Sequence, residues 1–62
     1  MQTKTDQYTA YYGSKNQTFT APNDIHAKEV AGRIFAHQDV SGELWGRGPR
    51  LVGGYSRLRG WK

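Results

Sequence analysis

At Pro22-Asn23-Asp24 the chain changes its period, and that change limits what it can fold into. Before it, residues 5–12 alternate, with Tyr8, Ala10 and Tyr12 on one side and Gln7, Thr9 and Tyr11 on the other. Alternation with a Thr- and Tyr-rich composition predicts a strand. Gly13-Ser14-Lys15-Asn16 is a turn cluster, and residues 17–21 form a second alternating run with Phe19 and Ala21 on one face. The two runs predict a β-hairpin with a three- or four-residue loop. Pro22 cannot donate to a ladder and disfavours helix for the residue before it, so the second strand should stop near Ala21.

After the break the spacing is helical. Asn23 is a good N-cap, Asp24 suits the positive end of a helix dipole, and Ile25, Ala27, Val30, Ala31, Ile34 and Phe35 recur at helical intervals. A helix is predicted from about residue 24 to 37, with favourable i,i+4 pairs from Asp24 to Lys28 and from Glu29 to Arg33. Gly32 costs about 1 kcal/mol against alanine inside a helix, so it either permits close packing on the hairpin, the favoured reading, or merely weakens the element.

Beyond His37 the signals are shorter. Residues 38–42 read as a turn, and Glu43-Leu44-Trp45 as a short strand closing a third edge of the sheet. Gly46-Arg47-Gly48-Pro49-Arg50 suits neither helix nor central strand. Leu51-Val52 could restart a strand, Gly53-Gly54 invites a bend or bulge, and residues 56–62 form a last edge strand or a tail. The reading is a small α+β domain of ββαβ order, one helix packed on a short antiparallel sheet, followed by a Gly/Arg-rich C-terminal segment. Residues 1–62 form a single domain in this reading, with 1–45 as the folded core and 46–62 as a basic aromatic segment.

Charge sharpens the division. Residues 1–42 carry four cations and four carboxylates, whereas over 43–62 Arg47, Arg50, Arg57, Arg59 and Lys62 face only Glu43, so the whole net charge of +4 lies there. Both tryptophans and five of the eight glycines lie there as well. Arginine clamps phosphates and stacks on bases, and Trp and Tyr offer stacking platforms. Trp45, Arg47, Arg50, Tyr55, Arg57, Arg59 and Trp61 are therefore the candidate binding residues, for nucleic acid or a nucleoprotein complex, or for an acidic protein surface, where the same residue types make hot spots. A competing structural reading has Trp45, Leu51, Val52, Tyr55, Leu58 and Trp61 completing the core while the arginines face water.

Other chemistries find little support. With no cysteine among 62 residues, disulfides and thiolate zinc sites are excluded. His26 and His37 would sit about 16 Å apart along one helix, too far to share a metal ion. His37 reads as a helix-end residue and possible C-cap. Serines 14, 41 and 56 lie outside any nucleophile motif, and Gly46-Arg47-Gly48 lacks the lysine and the following helix of a phosphate loop. No catalytic residue, metal or cofactor is expected. No apolar run approaches the ~20 residues of a membrane helix, and the N-terminus lacks the apolar block of a signal peptide. A complete small gene product acting in the cytoplasm is the expectation, and so small a core makes a homodimer through a sheet edge plausible.

Residues 7–35 resemble a pattern of short phage-encoded accessory proteins, in which a hairpin with a Tyr-rich first strand leads into a helix with spaced alanines and a late phenylalanine. The matching positions are Tyr8, Tyr11, Gly13, Lys15, Phe19, Ala21, Ala27, Ala31 and Phe35. The resemblance implies a protein that binds and modulates a host machine in the host cytoplasm, a setting that includes anti-restriction and anti-CRISPR inhibitors. The Gly/Arg/Trp end departs from the pattern, and a basic chain is unlike inhibitors that mimic DNA with acidic surfaces.

Overall fold

The computed structural model describes residues 5–62. The order is β1 (Asp6–Tyr12), β2 (Lys15–Ala21), α1 (Asp24–Gln38), β3 (Gly42–Gly46), β4 (Arg50–Ser56) and β5 (Gly60–Trp61). All pairings are antiparallel, the spatial order is β2-β1-β3-β4-β5, and α1 packs on one face of this sheet. The α+β architecture is thus the expected one. The segment after residue 45 continues the sheet with two further strands, so no division of the fold falls there.

The hairpin is tighter than its composition suggests. Tyr12 pairs with Lys15, leaving a two-residue turn in which Gly13 takes φ 62 at the position where a type II′ turn uses glycine. Tyr8, Ala10 and Ala21 are buried beneath the helix, with Tyr12 and Phe19 packed at the margin.

Asn23 caps α1, its side chain accepting from the His26 N–H at 2.8 Å. The helix closes on Asp39, in the left-handed region at φ 57, whose N–H reaches back to Ala36 O; the cap is Asp39 and not His37. Its inward stripe is Ala27, Ala31 and Phe35. Ile25, expected in that stripe, lies one residue off its angle and is 74% exposed. Small residues at 27 and 31 let the helix sit close to the sheet, and Phe35 fills the space where they end.

Phe35 meets Tyr55 at 5.1 Å between ring centroids, with Tyr12 and Trp61 each at 5.9 Å, and the ring presses on Gly42. Gly32 does permit a close approach, but its partner is the Trp61 indole of β5 rather than the hairpin: a Cβ there would lie 3.2 Å from Trp61 Nε1. The hairpin sits at the other side of the sheet from β5.

β3, expected at an edge, is central, paired with β1 on one side and β4 on the other. Leu44 opposes Gly53 and Trp45 opposes Leu51, so Val52 is an extra residue bulged out of the ladder.

Gly42 tests this packing. An alanine Cβ there would fall 2.5 Å from Phe35 Cε1, 2.9 Å from its Cζ and against the Tyr11 carbonyl oxygen. Neither backbone nor a packed ring can yield, so Gly42→Ala should cost about 3 kcal/mol, the upper part of the overpacking range. Urea denaturation followed by circular dichroism should show the midpoint falling steeply.

Candidate functional site

The structure divides the seven candidate residues among four settings. Tyr55 and Trp61 face the helix and pack edge-on to each other at 5.3 Å, both against Phe35. Lys28 Nζ lies 5.7 Å from the Trp61 ring centroid, so the outer side of the indole is occupied as well. Both rings have structural work.

Arg50 is committed to the helix. Its Nη1 and Nη2 donate to Asp24 Oδ2 and Oδ1, both at 3.0 Å, in a two-pronged pairing. The buried Tyr8 donates its hydroxyl to Asp24 Oδ1 at 2.8 Å. One carboxylate thereby joins β1, the first turn of α1 and the start of β4. Asp24 thus pairs with Arg50, twenty-six residues away, and not with Lys28. Hydrogen bonds from Arg50 and then Tyr8 hold the Asp24 carboxyl at about 2, against an ordinary 3.8. The same bond to Asp24, with burial, raises the Tyr8 hydroxyl above its ordinary value.

Arg57 lies 3.7 Å from Asp39, both well exposed, a contact that water screens heavily. Its backbone N–H donates to Ser41 Oγ at 2.9 Å, and Ser56 Oγ accepts from the Leu58 and Arg59 N–H groups. Ser41 and Ser56 thus order the β4–β5 turn. Arg47 and Arg59 are exposed and form no ion pair among the described residues. They occupy turns at opposite ends of β4, a seven-residue strand spanning about 20 Å. The basic segment is therefore two separated clusters and not one patch.

Trp45 alone of the seven stands on the face that no helix covers among the described residues. Its neighbour Leu44 is buried, and alternation turns Trp45 to the opposite side, where it is half-buried by its surroundings. Register places Thr18, Thr9, Trp45 and Leu51 in one row across four strands. The next row holds Asn16, Tyr11, Glu43 and Gly54, with Lys62 beyond, its N–H bonded to Gly54 O at 3.0 Å. Tyr11 is 46% and Leu51 52% exposed, so the face offers an aromatic and apolar strip around Trp45. Tyr11, Thr9 and Leu51 were missed as site residues because only the strand order brings them to Trp45. The outward alternation of Tyr11 was the one available signal.

Comparison with protein-family models, with curated proteins and with solved structures found no match for this chain. No helix among the described residues is long and apolar enough to cross a membrane.

The Asp24 arrangement has a pH signature. A carboxyl held at about 2 in the fold stabilises it fully above the ordinary 3.8, and that contribution is lost as pH falls through 3.8 toward 2. Asp24→Asn should lower the urea midpoint at pH 7 and flatten its fall between about pH 4 and 2. Arg50→Ala should lower the pH 7 midpoint likewise and shallow the same acid limb. Urea titrations across that window at constant ionic strength measure both.

Proposed function

We propose that this chain is a non-enzymatic binding module of phage or mobile-element type that modulates a host complex by occupying single-stranded nucleic acid, free or within a nucleoprotein assembly. The contact surface in this reading is the uncovered face of the sheet. The observation that carries it is Trp45, an aromatic ring on an open antiparallel sheet, with Tyr11 diagonally beside it across β1 and β3. Directly opposed and diagonal positions on such a face are about 5 and 7–8 Å apart, within reach of successive stacked bases. Arg47 beyond one end of the strip, and Arg59 and Lys62 toward the other, supply cations for the backbone phosphates. Glu43 lies in the strip and opposes an anionic ligand, which keeps the electrostatic part of the affinity modest.

Tyr55, Trp61 and Arg50 act in this reading through stability and not through contact. The phage setting rests on the resemblance of residues 7–35. Leu51 beside Trp45 favours a second reading, in which an apolar centre rimmed by arginine docks on an acidic host protein.

Fluorescence anisotropy with a labelled single-stranded oligonucleotide tests the first reading. Losing one base stack costs about 1–3 kcal/mol, so Trp45→Ala should weaken binding about 5- to 150-fold without unfolding the chain. Arg47→Ala should lower the slope of log K against log salt by about 0.7. Oligonucleotide binding that survives Trp45→Ala overturns the reading. A Trp45-dependent partner retained from nuclease-treated lysate, with no oligonucleotide affinity, favours the protein alternative.

A further inference from the structure

The two sides of the sheet end differently. On the β4 side, β5 has only two residues, Pro49 precedes β4, Arg50 stands at its first position, and the Val52 bulge breaks the ladder. Those are the devices by which natural sheets prevent their edges from pairing. On the β2 side such features stand only at the ends, Lys15 at the first position and Pro22 just past the last, and the interior of the strand has none. β2 has seven residues in unbroken register with β1, contains no proline or glycine, and carries one charge, Lys15, at its first position. Its outer edge has no strand beside it among the described residues.

Which backbone groups face outward follows from the turn. A two-residue hairpin closes with a hydrogen-bonded pair, here Tyr12 with Lys15. Pairing alternates from there, so Gln17, Phe19 and Ala21 also bond to β1, and the N–H and C=O groups of Asn16, Thr18 and Thr20 point away from the sheet.

We infer that β2 pairs antiparallel with β2 of a second copy, about a twofold axis through Thr18. This register uses all seven residues of both strands. It sets Thr18 against Thr18 of the copy and Asn16 against Thr20, twice by symmetry, so every outward donor and acceptor is matched in six hydrogen bonds. Lys15 then opposes Ala21, at opposite ends of the interface, and the two lysines stay apart. Phe19, half-buried against Tyr8 at 6.0 Å, meets Phe19 of the copy diagonally. The strand is its own complement, and with Lys15 at one end as its one charge the chain's net positive balance stays out of the centre of the contact. Because the axis is perpendicular to the sheet, both helices lie on one side. The two uncovered faces then join on the other, with two Trp45 rings on one ten-stranded surface.

The inference does not depend on what that surface binds, and its test contains no nucleic acid. Sedimentation equilibrium of the full chain at about 100 μM should give twice the 7.0 kDa chain mass. Thr18→Pro removes an outward N–H while keeping every backbone β1–β2 bond, losing only the exposed 3.4 Å hydroxyl contact with Thr9, and should sediment at 7.0 kDa with unchanged circular dichroism. Thr18→Lys sets two lysines directly opposite each other and should do the same, deciding the matter if the proline variant fails to fold. A wild type that remains at 7.0 kDa, or a folded variant that keeps the doubled mass, overturns the inference.

Discussion

The fold depends on one ring. Phe35 is the only large residue that the helix sends into the core, and β1, β3, β4 and β5 all place something against it: Tyr12, Gly42, Tyr55 and Trp61. A chain of this size buries little more than about 60% of its unfolded surface, so it cannot distribute its stability over many large contacts. It concentrates them at the C-terminal half of α1. The alanines at 27 and 31 bring the helix near enough for the ring to reach four strands.

The opposite end of the helix is held by charge instead of area. Asp24 accepts from Tyr8 and Arg50, so the first turn of α1 is tied at once to the hairpin and to β4. The two attachments are different in kind, apolar at Phe35 and ionic at Asp24, and they respond to different conditions. Salt and acid act on the Asp24 end, while temperature and denaturant act through the aromatic cluster.

The first half of the fold was legible because its signals are local. The inward set Tyr8, Ala10, Phe19 and Ala21, the Asn23 cap and the helix span all follow from neighbours within a few residues. The second half was legible only in part, because its order comes from distant partners. Trp61 finds Gly32, and Arg50 finds Asp24, across intervals that no periodicity encodes. Glycine-rich β4 reads as a break in isolation and becomes a strand because β3 pairs with it. The candidate site was legible as composition and not as geometry: the arginines and aromatics were the right types to consider, but the sheet sends most of them inward or to opposite ends. Trp45 faces outward because Leu44 faces in.

The Val52 bulge carries one more implication. Arg50 and Tyr55 are an odd number of residues apart, so in a regular strand they would point to opposite faces; here one reaches Asp24 and the other Phe35, both on the helix side. The surplus residue reconciles them. A chain lacking it would have a regular ladder with the same two contacts on one face, so the length of the protein can change by one at this point in β4 with the strand order kept, at the cost of the Val52 packing against the core.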